Sequence, residues 1–298
     1  MRLIFLFLDG VGIGPRDPAV NPFGRARLPV LQDLLGDIPF LDRPSLASHQ
    51  AVLTPLDATL AVDGLPQSAT GQITLLTGIN APAHIGEHYG PYPDERLRSL
   101  LDDNLFHRLQ ARGRLVAFAN AYPPIFFERV ARGSDRRSAI SQAAGAAGVP
   151  YRTHEDLLRG EAVSASLTNE RWPAKDQPPP LITARAAGQN LERLSRQFDF
   201  TLFEFFLTDV AGHRPARLSA EVILQQLDEF IGGILAQFDH EHALLLITSD
   251  HGNIEDSSTR RHTRNPVPAL VVGDRRDDLA RSLRTLADVT PAILRLLA

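Results

Sequence analysis

Short apolar runs alternate with segments of helical periodicity along most of the chain. The apolar runs are rich in Phe, Leu, Ile and Val, which predicts buried strands. They are Leu3–Leu8, Leu115–Ala119, Thr201–Leu207, Ala243–Thr248 and Ala269–Val272. The segments with helical spacing are Leu97–Arg112, Ala184–Gln197, Ser219–Phe238 and Arg284–Leu297. Strands that alternate with helices predict an α/β fold with a doubly wound, mostly parallel sheet covered on both faces.

Acidic residues follow three of these predicted strands at the point where each strand ends. Asp9 comes directly after the first strand, Asp209 follows the third, and Asp250 with His251 follows the fourth. A single Asp in such a place usually caps a helix or forms a turn. In parallel sheets, however, ligands bind beyond the carboxyl ends of the strands. Three acidic strand ends therefore predict a functional site at this edge.

The middle of the chain has a different character. From residue 123 to 183 the strand signals weaken, arginines cluster, and the segment closes with the stiff proline run Pro178–Pro180. We interpret residues 123–183 as a small insertion or cap, and residues 1–122 and 184–298 as one core.

Composition narrows the class of protein. The 298 residues carry a net charge of −4, which gives no sign of a nucleic-acid partner. The chain has no cysteine, which excludes disulfides, thiolate metal sites and a cysteine nucleophile. The apolar stretch Leu3–Leu8 meets Asp9 too early for a signal peptide, and no segment approaches the roughly 20 apolar residues of a membrane span. We therefore expect a cytoplasmic protein without a membrane partner, and no feature points to a particular oligomeric state.

Ser68 is the candidate nucleophile. It lies in a turn-like stretch that leads into the apolar run Ile73–Leu76, so we expect it at or near the first turn of a helix. Free backbone N–H groups and the helix dipole favour an anion there. A helix-capping role alone is the competing interpretation, and Thr70 is the competing nucleophile.

Aspartates paired with histidines are the candidate metal ligands. Asp209 precedes His213 by four positions, Asp250 precedes His251 directly, and His262 stands just before the last predicted strand. Neutral imidazole and carboxylate together suit Zn²⁺, Mn²⁺ and similar ions. The glycines after Asp9 do not form a dinucleotide-binding loop, because their spacing is not G-x-G-x-x-G and Pro15 interrupts the helix that such a loop needs.

The order of these motifs resembles the metalloenzyme branch of the alkaline-phosphatase superfamily, which includes cofactor-independent phosphoglycerate mutase and phosphopentomutase. The matching features are Asp-Gly after the first strand, a Ser that opens a helix, Asp-x-x-x-His, Asp-His-Gly-Asn, His-Thr-x-Asn-Pro-Val-Pro and a mutase-like closing segment from Leu286. The resemblance covers residues 1–80 and roughly 200–298. It implies two divalent ions and a phosphoserine intermediate at Ser68; the ligand types favour zinc or manganese and also accept magnesium. One ion would be held by Asp209, His213 and His262, and the other by Asp9, Asp250 and His251.

Two departures from the mutase pattern bear on the reaction. Gln72 stands where the mutases have His after Ser-x-x-Gly, and the insertion is short. A mutase must shield its intermediate from water, which a large cap accomplishes. The expected activity is therefore hydrolysis of a small phosphomonoester. A phosphomutase acting on phosphoglycerate or a sugar phosphate, and a metal-binding homologue without turnover, are the alternatives.

The insertion supplies the candidate contacts to a small phosphorylated substrate. Arginine is a good partner for phosphate, and a solvated arginine face is the competing interpretation. Asn120 and Tyr122 follow the second predicted strand and could also meet substrate. The candidate arginines are Arg129, Arg132, Arg136, Arg137 and Arg152, with Arg129 and Arg136 preferred.

Overall fold

The computed structural model describes residues 1–134 and 136–298. Its main sheet has seven strands in the order β2-β3-β9-β8-β1-β7-β4. A separate pair, β5-β6, is parallel. The strands are β1 (Arg2–Leu8), β2 (Leu46–Ala47), β3 (Ala51–Leu56), β4 (Val116–Phe118), β5 (Asn120–Ala121), β6 (Val163–Ser164), β7 (Phe200–Phe205), β8 (Ala243–Ser249) and β9 (Val267–Gly273).

Helices cover both faces of the main sheet. The α-helices are α1 (Pro29–Leu35), α2 (Ser68–Thr77), α3 (Ala81–Ile85), α4 (Glu95–Arg98), α5 (Leu105–Gln110), α6 (Pro124–Ala131), α7 (Ala139–Ala146), α8 (His154–Leu158), α9 (Ala184–Ser195), α10 (Leu207–His213), α11 (Ala220–Leu235), α12 (Arg276–Arg281) and α13 (Val289–Leu296). Side chains of β1 alternate between two hydrophobic cores, as strand geometry requires. Leu3, Phe5 and Phe7 join α2, α5, α7 and α13, whereas Ile4, Leu6 and Leu8 join α1, α9 and α11.

The predicted fold class is confirmed. Strands β4, β7, β1 and β8 are parallel neighbours, and β9 runs antiparallel to β8 and β3. The parallel strands are buried on both faces, which explains why they appear in the sequence as continuous apolar runs. Two predicted helices are also confirmed in outline as α9 and α11.

The predicted continuous helix Leu97–Arg112 is wrong. The chain forms α4, a 3₁₀ segment Ser99–Asp103, and then α5. Asn104 interrupts the helix because its side chain accepts hydrogen bonds from the backbone N–H groups of Phe106 and His107 and so caps α5. The predicted helix Arg284–Leu297 is also interrupted: the chain first forms a 3₁₀ turn, Leu286–Asp288, and α13 begins after it.

The segment proposed as an insertion, residues 123–183, contains α6, α7, α8 and β6. Its helix α7 packs against α2, and Ala139, Ile140 and Ala143 join the core on that face of the sheet. A small separate cluster contains Leu157 and Trp172. The division into core and cap stays a prediction. In the described part of the chain, no helix is long and apolar enough to cross a membrane.

Candidate metal centre and active site

Three strand ends and one helix N-terminus meet at the carboxyl edge of the sheet. Asp9 directly follows β1, Asp250 directly follows β8, and Asp209 lies in the first turn of α10, which follows β7. These strands are parallel neighbours, so their carboxyl ends lie side by side. Ser68 is the first residue of α2, as the sequence predicted.

The first cluster contains Asp9, Asp250 and His251, all buried. The Nε2 atom of His251 lies 3.4 Å from Oδ1 of Asp9 and 3.6 Å from Oδ2 of Asp250. The same Nε2 atom lies 3.0 Å from the hydroxyl oxygen of Ser68. The candidate nucleophile therefore touches the cluster that sequence analysis assigned to it.

The second cluster contains Asp209, His213 and His262. Oδ1 of Asp209 lies 3.4 Å from Nε2 of His213 and 3.6 Å from Nε2 of His262, and the two Nε2 atoms lie 3.1 Å apart. The Nδ1 atoms of His213 and His262 lie 2.7 Å from the backbone carbonyls of Arg260 and Pro66. Because a carbonyl only accepts, both Nδ1 atoms carry the proton and both Nε2 lone pairs face each other.

The two clusters adjoin each other. The rings of His251 and His262 stack with centroids 3.7 Å apart. Ligand atoms of Asp209, His251 and His262 also lie within 4.8 Å of one another. The two clusters therefore form one continuous polar centre, and Ser68 borders it.

Burial and crowding of charge perturb the ionisation of this centre. Burial raises the pKa of Asp9 well above its usual range, and the charges of Asp250 and Asp209 raise it further. Burial also raises the pKa of Asp250. For His251 burial favours the neutral form, but the carboxylates of Asp250 and Asp9 outweigh it and raise the pKa to about 10. Burial and the neighbouring His251 lower the pKa of His262 to about 4.

This arrangement fits divalent cations. Oδ1 of Asp9 is buried and has no hydrogen-bond partner in the described part of the chain. Two imidazole lone pairs converge with Oδ1 of Asp209, an oxygen that also accepts from the side-chain amide of Asn253. A cation stabilises acceptors that converge in this way, and mixed nitrogen and oxygen ligand atoms suit Zn²⁺ or Mn²⁺. Nδ1 hydrogen bonds to carbonyls are the usual way in which metal-binding imidazoles are oriented.

Several side chains that sequence analysis did not assign support the centre. Gln72 lies one helical turn after Ser68 on α2, and its amide nitrogen lies 3.4 Å from Oδ2 of Asp9 and 3.2 Å from Oδ2 of Asp250. Asn253 donates to Oδ1 of Asp209 at 2.6 Å. The spacing of Gln72 from Ser68 was a usable signal, because positions i and i+4 share a helix face.

Glu255 ties together the loops that carry the clusters. Its buried carboxylate accepts from the backbone N–H groups of Gly12 at 2.9 Å and Asn253 at 2.7 Å. It also accepts from the side chains of Thr263 and Asn265. The loops after β1 and β8 and before β9 are thereby held to one carboxylate.

The predicted substrate contacts have different positions. Arg136 and Arg137 line a cavity of about 320 Å³ that also borders Ser68, Asp9 and Asp209. Arg129 is exposed on α6 and does not line that cavity. Asn120 is buried, and its amide bonds at 2.8 Å with both the N–H and the carbonyl of Glu204. Among the described residues that border the cavity, Glu204 is the one buried acid that the sequence-based assignment missed.

The position of Thr70 does not suit the role of nucleophile. Its hydroxyl is buried and donates to the carbonyls of Gln67 and Tyr89 at 3.2 and 3.3 Å. It also accepts from the N–H of Tyr89 at 3.2 Å. These contacts fix the start of α2 to the loop around Tyr89 and leave Ser68 as the hydroxyl at the centre.

An α/β sheet with Asp and His clusters at the carboxyl ends of its strands is typical of metal-dependent α/β enzymes. A family model described as the metalloenzyme superfamily matches residues 1–298, and the chain belongs to that superfamily. This confirms the resemblance on which the sequence-based assignment depended, with a core of the alkaline-phosphatase type.

Individual relatives agree with this membership. A 2,3-bisphosphoglycerate-independent phosphoglycerate mutase from Moorella thermoacetica is 33% identical over 128 residues, which are 41% of this chain and 25% of the mutase. The chain thus matches about a quarter of that relative's length. The structure of the PH0037 protein from Pyrococcus horikoshii has a TM-score of 0.60 at 14% identity and covers 99% of this chain and 97% of its own. A cold-active alkaline phosphatase from Shewanella sp. has a TM-score of 0.57 at 14% identity, with both chains fully covered. The two structures show the same fold.

Proposed function

We propose that the protein is a two-metal-dependent phosphomonoesterase that works through a phosphoserine at Ser68. One observation carries the proposal: the Ser68 hydroxyl opens α2 and lies 3.0 Å from Nε2 of His251, at the border of two adjoining Asp and His clusters. Membership of the metalloenzyme superfamily supports metal-dependent phosphoryl transfer as the general chemistry.

The residues of the chain have distinct roles in this proposal. Asp9, Asp250 and His251 would hold one divalent ion, and Asp209, His213 and His262 the other. Zinc or manganese suits these donors best, and magnesium is the alternative. The bound ions would supply Lewis-acid stabilisation of the serine alkoxide and of the leaving oxygen.

Ser68 exchanges one phosphorus–oxygen bond for another. Its Oγ bonds to phosphorus, the ester oxygen leaves and is protonated to an alcohol, and water then displaces the serine oxygen to give inorganic phosphate. The first turn of α2 favours the negative charge on both the alkoxide and the phosphate, because its N–H groups and dipole are positive.

Access for water favours hydrolysis over transfer back to the substrate. Ser68 borders the 320 Å³ cavity and also a wider cleft of about 750 Å³ that is lined by Asp209, His213 and His262. When a substrate occupies the cavity, the cleft remains a route by which water can reach Ser68. Phosphomutase activity is the second candidate, which the similarity to a phosphoglycerate mutase over 41% of the chain favours.

Phosphate release from a panel of phosphomonoesters, with zinc, manganese and magnesium supplied separately, tests the proposal. We expect release by the metal-loaded protein, loss in Ser68→Ala, and retention in the matched control Thr70→Val. Unchanged release in Ser68→Ala would contradict the assignment of the nucleophile. Isomerisation of phosphoglycerates or pentose phosphates without release would favour a mutase, and neither activity would favour a homologue without turnover.

Metal content tests the two clusters separately. Asp250→Ala should lose one ion and His262→Ala the other, measured by elemental analysis after dialysis. Full metal content in both variants would contradict the assignment of the ligands.

A further inference from the structure

We infer that Glu204 selects the organic part of the substrate by accepting a hydrogen bond from a hydroxyl group of a polyol or sugar phosphate. The inference rests on the proposed function, because that function places the phosphate of the ester at Ser68. A phosphoglycerate suits this position less well, because its carboxylate would be repelled by an ionised Glu204.

Glu204 borders the same cavity as Ser68. The cavity of about 320 Å³ is lined by Ser68, Ser138, Tyr122 and Glu204 among others. Small-molecule sites of this size bind mainly through apolar walls and a few well-placed polar groups. An ester whose phosphate meets Ser68 therefore has its carbon skeleton in the space that Glu204 borders.

One oxygen of the Glu204 carboxyl group is open to a ligand. The residue is only 3% exposed, and its Oε2 accepts from the Ser138 hydroxyl at 2.8 Å. Two 2.8 Å bonds to Asn120 fix its backbone on β7. No hydrogen bond reaches Oε1 from the part of the chain that the structure describes. This oxygen is therefore available to accept a hydrogen bond from a ligand.

The charges around the cavity favour a neutral donor. The carboxyl group of Glu204 opposes a second anionic group on the ligand at this position, and Arg136 and Arg137 on the same cavity wall oppose an ammonium group. A hydroxyl meets neither obstacle. The stacked rings of Tyr122 and Phe126, 3.8 Å apart, add an apolar wall against which carbon-bound hydrogens can pack.

Three esters with the same carbon count isolate the hydroxyl contact. They are glycerol 3-phosphate, propyl phosphate, which lacks the hydroxyls, and 3-phosphoglycerate, in which a carboxylate replaces one hydroxymethyl group. With the metal-loaded full chain at pH 8, above the Glu204 pKa of about 7, we expect kcat/KM for glycerol 3-phosphate to exceed that for each of the others by about tenfold to a hundredfold. That is the range of a hydrogen bond to a charged group. Glu204→Leu should bring glycerol 3-phosphate and propyl phosphate to within about twofold of each other by removing that hydrogen bond. Glu204→Gln should keep only part of the preference, because it has one acceptor oxygen in place of two, Ser138 competes for that oxygen, and the amide carries no charge.

A matched control is Glu128→Leu, which makes the same change on the exposed surface of α6 outside this cavity and should keep the preference. Dissociation constants of the three esters for metal-loaded Ser68→Ala, with and without Glu204→Leu, test the cavity without turnover. A binding preference lost in Glu204→Leu, without hydrolysis of any ester, would sustain the inference and contradict the proposed function. Hydrolysis of all three esters at equal kcat/KM, a preference that survives Glu204→Leu, or no binding of any ester would overturn the inference.

Discussion

Replacing Glu204 with glutamine should change how the stability of the protein depends on pH. Burial raises the pKa of the Glu204 carboxyl group from 4.5 to about 7, although the hydrogen bond from Ser138 acts in the opposite direction and the charge of Asp250 adds to the rise. The folded protein therefore holds this proton more tightly than the unfolded chain does. Glutamine keeps the shape and an acceptor for Ser138 but cannot ionise.

The direction follows from proton linkage. Because the folded-state pKa is raised, the contribution of Glu204 to stability is full below pH 4.5 and is lost as pH rises towards 7. A shift of about 2.5 pKa units corresponds to about 3 kcal/mol, of which roughly 2 kcal/mol falls between pH 5 and pH 7.5. Glu204→Gln removes this loss, so its free energy of unfolding relative to the unsubstituted protein should rise by roughly 2 kcal/mol over that interval.

Urea unfolding in the presence of a chelator, at half-unit pH steps from 5 to 8, measures this difference without interference from bound metal. Glu128→Gln is the control, because Glu128 is exposed on α6 and its substitution should leave the difference flat across the series. If the difference for Glu204→Gln is also flat to within about 0.5 kcal/mol, the carboxyl group is not held in its protonated form and the reasoning is refuted.

Three further substitutions test the centre and its supports. Asp9→Asn should raise the melting temperature of the metal-free protein by about 2 °C or more, because it removes a buried charge and its repulsion with Asp250. It should also reduce the stabilisation gained on adding divalent ions, and equal effects with and without metal would contradict a ligand role. Gly71→Ala should cost about 1–3 kcal/mol in urea unfolding, since a Cβ there would meet the backbone oxygen of Asp250 at 2.9 Å; a neutral result would show that α2 can move away from β8. Glu255→Ala should lower divalent-metal affinity by about tenfold to a hundredfold in a competitive chelator titration, because the loops lose their common carboxylate, and unchanged affinity would mean that the loops hold their positions without it.

The strands and the acidic residues at their ends could be predicted because both arise from one physical requirement. A parallel strand covered on both faces needs an uninterrupted apolar run, and the first polar residue after it lies at the sheet edge. The position of Asp9 and Asp250 at the sheet edge can therefore be predicted from the sequence. The edge strand β2 and its neighbour β3 gave no such signal, since β2 has two residues and β3 contains Pro55.

Contacts between distant segments could not be predicted in this way. The break at Asn104 depends on a side chain that also donates to the carbonyl of Ala143 on α7, thirty-nine positions away. The hydrogen bonds of Asn120 to the backbone of Glu204 depend on the pairing of β4 with β7. Glu204 itself was visible as a lone acid inside the apolar run Thr201–Leu207, and a charge in a run that is otherwise buried is a signal of function or of a raised pKa.

Ser68 lies between the 320 Å³ cavity and the wider cleft, and the difference between them affects whether a phosphoserine is hydrolysed or returns its phosphoryl group to the alcohol. Within the segment 123–183, Phe126, Arg136 and Ser138 border the 320 Å³ cavity. The wider cleft is bordered by His213 and His262 and by no residue from 123 to 183 among those described. A segment that borders only the first space can hold the alcohol product but does not keep water from the opposite side. Transfer back to the alcohol would therefore compete with water at about 55 M, and an enzyme without a barrier on the second side favours hydrolysis unless the alcohol is held in reacting geometry.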